Sequence, residues 1–117
     1  MKAVTFQKGE GVSYGDTTVL LYGHPVAIVS KRAMSYSGIR GANGRRLGTY
    51  TYFDTYALAD PPATRGQKLA SYSTRKQSVA DALVRLAFAN EGMREVLLEG
   101  AREVEPDTAK RIEEHLS

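Results

Sequence analysis

The chain has no cysteine and no tryptophan among its 117 residues, and it has four prolines and two histidines. The absence of cysteine excludes disulfide bonds and cysteine-ligated zinc or iron–sulfur sites. Runs of apolar residues never exceed four, which is too short for a membrane-spanning helix. The first eight residues lack the apolar centre of a signal peptide. We therefore expect a cytoplasmic protein that has no membrane partner.

The sequence also lacks a recognisable catalytic or metal-binding motif. His24 and His115 have no second ligand at metal-binding spacing. The bare pattern Gly-x-Ser-x-Gly occurs at residues 11–15, but a predicted strand follows it, so it does not match the strand-to-helix elbow of a serine hydrolase. Asp54 lies among tyrosines, but it has no carboxylate partner nearby in the sequence. We expect it to be half-exposed and hydrogen-bonded to a tyrosine. The sequence thus predicts a non-enzymatic protein without a cofactor, and an enzyme that needs no cofactor is the least favoured alternative.

The glycines at positions 38, 41 and 44 suggest two glycine-rich motifs, the phosphate-binding loop and the loop of KH domains, but they identify neither. A phosphate-binding loop would continue into Gly-Lys-Ser/Thr and a helix, and this segment does not. The Gly-x-x-Gly at 38–41 matches the bare loop motif of KH domains, but the flanking segments read as strands rather than helices.

Length and composition are those of one globular domain, with 42% hydrophobic and 25% charged residues. Charge is unevenly distributed along the chain. Residues 31–76 hold nine cations against two acids, whereas residues 77–117 hold five cations against nine acids. This pattern indicates a surface that faces a polyanion and a separate acidic helical part. Alternatively, the acidic part folds back and neutralises the basic middle.

The pattern of apolar residues predicts an α+β fold in a single domain, residues 1–117. Residues 1–72 read as a mainly antiparallel sheet of four or five strands that includes a basic Gly/Arg loop at 35–48. The expected strands are 3–7, 18–22, 26–31, 47–58 and a short one at 68–72, with Gly23-His24-Pro25 breaking the second from the third.

The strand at 47–58 gives the main indication of function, because its tyrosines alternate with threonines. Tyr50, Tyr52, Asp54 and Tyr56 share one face, and the threonines share the other face with Phe53. A bulge is expected near Phe53-Asp54, given the strand's length. One face has to cover the core. The threonine face is the more compatible with water, which favours tyrosines packed under a helix; tyrosines that face outward instead could stack on bases.

Residues 73–117 read as two or three helices. Thr74 with Gln77 fits a capping box at the start of the first, which runs to about Asn90. A second amphipathic helix follows at 93–104, weakened by Gly100 in its interior. Pro106 suits the first position of a third helix.

Cations and aromatics together favour a small nucleic-acid-binding module. Six of the ten aromatic residues share the window 31–76 with the nine cations. Arginine and lysine neutralise phosphates, and tyrosine stacks on bases. The residues expected to contact DNA or RNA are Arg40, Arg45, Arg46, Tyr50, Tyr52, Lys68, Arg75 and Lys76.

The alternative function is a protein-interaction module, a regulator or an inhibitor, that acts through its acidic amphipathic C-terminal helices. Those helices would lie in a partner's groove or form a homodimer. The competing expectation is that they pack against the sheet of their own chain.

Residues 71–77, Ser-Tyr-Ser-Thr-Arg-Lys-Gln, resemble the junction of the last strand and helix in double-stranded-RNA-binding domains and plant AP2-type domains. The resemblance is confined to this junction. The first helix of the RNA-binding module and the tryptophan common in AP2 domains are missing. The compact, cysteine-free chain, rich in Arg, Gly and Tyr, is also similar to small phage proteins.

Overall fold

Five strands and three α-helices follow one another in the computed structural model, which describes residues 2–8, 16–35, 49–59 and 65–117. The strands pair antiparallel in the order in which they occur along the chain. The predicted α+β fold of one small domain, a sheet followed by helices, is confirmed. The elements are β1 (Val4–Lys8), β2 (Asp16–Leu21), β3 (His24–Ser35), β4 (Thr49–Leu58), β5 (Arg65–Tyr72), α1 (Arg75–Ala89), α2 (Arg94–Val104) and α3 (Pro106–Leu116), with a short 3-10 helix, Glu91–Met93, before α2.

The turn between β2 and β3 consists of Tyr22 and Gly23, not of the predicted Gly23-His24-Pro25. Both turn residues have positive φ, 50° and 82°, as a two-residue turn that matches the twist of its strands requires. Proline cannot take that conformation because its ring holds φ near −65°. Pro25 lies instead at the start of β3, where it pairs with Leu20 beside an irregularity in the register.

The threonine face of β4, not the tyrosine face, packs under the helices. Thr55 is fully buried, and its hydroxyl oxygen lies 2.7 Å from that of Ser78 in α1. Tyr52 and Tyr56 lie on the opposite face and are half-buried. The expectation that threonines would face water is wrong for Thr55, because a buried hydroxyl can pair with another hydroxyl across the interface. Thr51, nearer the start of β4, is exposed.

Strand β3 continues to Ser35, beyond its predicted end at Lys31. Its pairing with β4 is regular from Ala27–Ala57 to Ser35–Thr49. The bulge predicted near Phe53-Asp54 is absent from this pairing. The register of β4 shifts instead against β5, between Thr55 and Leu58. The predicted basic loop at 35–48 lies outside the described residues except for Ser35.

Helix α1 begins as the sequence predicts. The Thr74 hydroxyl accepts a hydrogen bond from the Gln77 amide at 3.3 Å and donates one to the Gln77 side-chain oxygen at 2.7 Å. These contacts satisfy one of the free amides of the first turn. Val79, Leu83 and Ala87 are completely buried on the face that meets the sheet and the other helices.

Gly100 does not simply weaken α2; it lets this helix approach β1 and β2 closely. A Cβ at this position would lie 2.9 Å from Leu21 Cδ1 and 3.0 Å from Val4 Cγ2. At the end of α2, Glu103 accepts a hydrogen bond from the Ala3 amide at 2.8 Å. Pro106 opens α3 as predicted.

Helix α3 is attached to the sheet through a polar cluster around Asp81, which is 3% exposed. Asp81 accepts hydrogen bonds from the Tyr72 hydroxyl and from Arg85. Arg111 of α3 donates to the same Tyr72 oxygen at 2.9 Å. Burial, followed by the hydrogen bond to Asp81, raises the pKa of Tyr72.

Gly66 allows β5 to approach β4 near its start. A Cβ there would lie 2.8 Å from the carbonyl oxygen of Ala57 and 3.2 Å from that of Leu58. Both are backbone atoms in a paired strand, so they cannot move aside independently of the sheet. Gly66 directly follows Arg65 in β5.

We expect Gly66→Ala to lower the free energy of unfolding by about 1–3 kcal/mol, the usual cost of forcing extra atoms into a packed site. Gly92→Ala is the matched control, because the nearest atom to its Cβ would be the Asn90 side-chain oxygen at 3.6 Å. Urea unfolding of both variants measures the difference. Equal stabilities would contradict the proposed close contact.

Candidate functional site

Two neighbouring features of the sheet lie away from the helix layer. The first is the outer face, the face turned away from α1, which carries Tyr52, Asp54 and Tyr56 of β4. The second is the β3–β4 ribbon, residues 32–35 and 49–52. Among the described residues, the ribbon strands pair only with each other, because the pairing of β2 with β3 ends at Ser30 and that of β5 with β4 at Phe53.

Most of the ribbon side chains that the structure describes are exposed, and one of them is a cation. Arg32, Ala33 and Thr51 are exposed, as is Lys31 at its base. Four residue pairs at about 3.4 Å each give it a length of roughly 14 Å. The chain that connects its two strands includes Arg40, Arg45 and Arg46. No acidic residue occurs between Asp16 and Asp54, so five cations in this stretch have no acid near them in sequence.

The structure brings together only some of the eight residues that the sequence predicts to contact DNA or RNA. Arg40, Arg45 and Arg46 lie outside the described residues. Tyr50 lies in the ribbon, paired with Met34, and its side chain also lies outside the described part. Tyr52 pairs with Arg32 at the inner end of the ribbon.

Arg75 and Lys76 begin α1 at the end of the sheet from which the ribbon extends. Tyr72 pairs with Phe53, which in turn pairs with Lys31, and α1 starts three residues after Tyr72. Both cations are exposed. Arg75 also lies over the Phe6 ring, with its guanidinium carbon 4.4 Å from the ring centre. Lys68 is exposed on the outer face, paired with Tyr56, and lies farther from the ribbon.

The outer face contains a buried polar cluster that the sequence analysis did not predict. Asp16, Ser30 and Asp54 are 5%, 2% and 3% exposed. Arg65 reaches across from β5 and donates two hydrogen bonds to Asp16, at 2.6 and 2.8 Å, and one to Ser30 at 3.1 Å. Its guanidinium also lies over the Tyr56 ring. No short sequence pattern predicts this cluster, because Asp16 and Arg65 are 49 residues apart in the chain.

Asp54 is buried, so the expectation of a half-exposed carboxylate is wrong. The expected hydrogen bond to a tyrosine is present, since the Tyr56 hydroxyl donates to Asp54 Oδ2 at 3.4 Å. Arg32 Nε lies 3.7 Å from the same oxygen. The other oxygen, Oδ1, is buried and has no hydrogen-bond partner.

Most apolar side chains of the C-terminal helices α2 and α3 lie inside this chain, and Val96 of α2 is the exposed exception among the described residues. Leu97, Leu98 and Ala101 of α2 and Ala109 and Ile112 of α3 belong to the buried core. These helices therefore pack within their own chain as expected, but they pack chiefly against α1 rather than against the sheet. Within the described part of the chain, no helix is long and apolar enough to cross a membrane, and no three acidic or histidine side chains are grouped as a metal site.

Comparison of the chain with protein-family models, curated proteins and solved structures finds no match. The resemblance of residues 71–77 to double-stranded-RNA-binding and AP2-type domains gains no support from these comparisons.

The Asp16–Arg65 pair makes stability depend on pH. Burial alone would raise the pKa of Asp16, but the hydrogen bonds from Arg65 and Ser30 bring it below its ordinary value of 3.8. The unfolded state therefore binds the proton more readily than the folded state does. The stabilisation is fully present above the unfolded-state pKa and is lost as the pH falls through the folded-state pKa.

We expect Asp16→Asn to lower the free energy of unfolding by about 1–3 kcal/mol at pH 7, because a charged hydrogen-bond acceptor is lost from a buried site. The difference from the unaltered protein should shrink as the pH falls below about 4. Asp107→Asn, on the exposed first turn of α3, is the control and should change stability by less than about 1 kcal/mol. Denaturant unfolding between pH 2.5 and 7 tests this; a difference that does not vary with pH would contradict it.

Proposed function

We propose that this protein is a non-enzymatic nucleic-acid-binding module that uses the β3–β4 ribbon, its arginine-bearing connection and the adjoining tyrosines of the outer face. The observation that carries the proposal is the position of the tyrosine face of β4. It is turned away from the helices and continues into a ribbon that contains the exposed cation Arg32, with exposed Lys31 at its base, and no acid. Polyanion binding and base stacking need these two features side by side.

The dimensions of the ribbon are compatible with this role. A two-stranded ribbon fits the major groove of duplex DNA, which is about 12 Å wide and 8.5 Å deep. The tyrosines on the outer face could alternatively support unpaired bases, as aromatic side chains on sheets do in single-strand-binding modules. Arg75 and Lys76 add positive charge at the same end of the sheet. Lys68, lower on the outer face, would contact a strand that continues past Tyr56.

No observation on the described residues favours the alternative partners. A protein groove or a homodimer would engage the apolar faces of α2 and α3, and most of this surface is covered by the core, with Met93 and Val96 left exposed. The proposal therefore commits to nucleic acid.

Fluorescence anisotropy of labelled single- and double-stranded DNA and RNA, titrated with the protein at several salt concentrations, tests the function. We expect the logarithm of the binding constant to fall linearly with the logarithm of salt concentration, with a slope of about −0.9 per duplex phosphate contacted or about −0.7 for single strands. No binding at low salt would refute the proposal.

Two double variants that remove the same charge test where on the protein nucleic acid binds. Arg45→Gln with Arg46→Gln should weaken binding about tenfold or more and reduce the magnitude of the salt slope, because two phosphate contacts are lost. Lys2→Gln with Lys110→Gln removes the same charge from exposed positions outside the ribbon and should leave the slope nearly unchanged. Equal losses in both double variants would show that only net charge matters, not the ribbon.

A further inference from the structure

A group of exposed cations lies on the side of the sheet that faces the helices, opposite to the tyrosines, at the end from which the ribbon extends. The group comes from β1, β3 and the start of α1, and its members are Lys8, Lys31, Arg75 and Lys76. We call these four residues the helix-side patch. Lys8 and Lys31 are not among the residues that the sequence predicts to contact DNA or RNA.

Lys8 and Lys31 point to the helix side because side chains alternate along a strand. Phe6 and Val29, each two residues before one of these lysines, pack with the core under the helices. Lys8 pairs with Thr17, which pairs in turn with Val29. Two strand spacings and two residues therefore separate the Cα atoms of Lys8 and Lys31, a distance of about 12 Å.

Arg75 brings the start of α1 to the same part of β1. Its guanidinium carbon lies 4.4 Å from the centre of the Phe6 ring, and Phe6 is about 7 Å along the strand from Lys8. A guanidinium that lies over a ring keeps its N–H donors, because the ring is contacted through the face of the group. Phe6 therefore positions Arg75 and leaves its donors available to the oxygens of a phosphate.

The four cations of the helix-side patch form no salt bridge with any other described residue. The salt bridges in the described part of the chain involve other cations, which are Arg32, Arg65, Arg85 and Arg102. Unpaired cations that lie close together create a positive surface potential, and a phosphate backbone that neutralises them releases its counterions. In a stacked strand one phosphate occurs about every 3.4 Å, so about three or four nucleotides cover the 12 Å between the two lysines. The patch thus suits a polyanion better than a single small anion.

The base of the ribbon connects the two sides of the sheet. The pairing of β2 with β3 ends at Ser30, so among the described residues one edge of β3 is unpaired from Lys31 onward. Lys31 and Arg32 are consecutive and exposed, and they point to opposite sides of this edge. A bound strand can pass around the edge from the outer face to the helix side and meet a cation on each side.

Resting on the nucleic-acid-binding function proposed above, we propose that the helix-side patch binds the phosphate backbone where the nucleic acid leaves the ribbon. Lys8 and Lys31 are then two further phosphate contacts. The interaction surface extends from the ribbon across the start of α1 to the end of β1. Contacts to phosphates position a strand and add affinity, but they carry no direct information about its base sequence.

A double variant, Lys8→Gln with Lys31→Gln, tests the patch by anisotropy with a DNA 12-mer, single-stranded and as a duplex, at several salt concentrations. We expect affinity to fall about tenfold or more and the magnitude of the salt slope to fall by about 1.4 for the single strand or 1.8 for the duplex, because two phosphate contacts are lost. The urea midpoint of unfolding should not change, since neither lysine forms a salt bridge with a described residue. Lys2→Gln with Lys110→Gln is the control and should keep the slope. Equal effects in the two double variants would overturn the patch.

Acetylation of the unaltered protein gives a second test that needs no variant. N-hydroxysuccinimidyl acetate modifies accessible lysines, and peptide mass spectrometry measures the rate at each one. With the 12-mer at about ten times its Kd, the reaction at Lys8, Lys31 and Lys76 should slow about tenfold, because only unbound protein reacts there. Lys2 and Lys110 should react at unchanged rates.

The two tests separate the patch from the function on which it rests. Unchanged acetylation of Lys8 and Lys31 while DNA is bound would overturn the patch and leave the proposed function intact. Failure of the protein to bind any nucleic acid would refute the proposed function, and the patch with it.

Discussion

The buried hydrogen bond between Thr55 and Ser78 determines which face of β4 is available for function. These hydroxyl oxygens lie 2.7 Å apart where α1 meets the sheet, and both residues are fully buried. Side chains alternate along a strand, so a shift of one residue would exchange the two faces of β4. It would bring Tyr52, Asp54 and Tyr56 under α1. The tyrosines therefore face away from the helices because Thr55 is hydrogen-bonded to Ser78 of α1.

The outer face of the sheet contains buried polar groups, and a charged side chain satisfies some of them. Arg65 crosses the outer face to Asp16 and Ser30, and the hydrogen bond with Asp16 raises the pKa of its guanidinium. Asp54, one strand away from Arg65, has longer contacts, from the Tyr56 hydroxyl at 3.4 Å and from Arg32 Nε at 3.7 Å. The same face therefore contains one satisfied carboxylate and one that is only partly satisfied.

Local signals predicted much of the fold but little of the site. The Thr74–Gln77 cap and Pro106 are read from neighbouring residues, and both mark helix starts correctly. The sequence could not show whether the tyrosine face of β4 points toward the helices or away from them. That orientation depends on a contact between Thr55 and Ser78, which are 23 residues apart. The burial of Asp54 depends likewise on how five strands come together. The role of Gly100 was misjudged because helix propensity does not reveal that a sheet lies against it.

The most direct test of this account is to map nucleic-acid binding onto the backbone by NMR. Amide chemical shifts of the ¹⁵N-labelled protein would be followed while a single-stranded oligonucleotide is added. The account predicts that the largest changes fall at residues 31–35 and 49–56, with α2 and α3 nearly unaffected. Changes concentrated in α2 and α3, with the ribbon and the tyrosine strand unchanged, would contradict it.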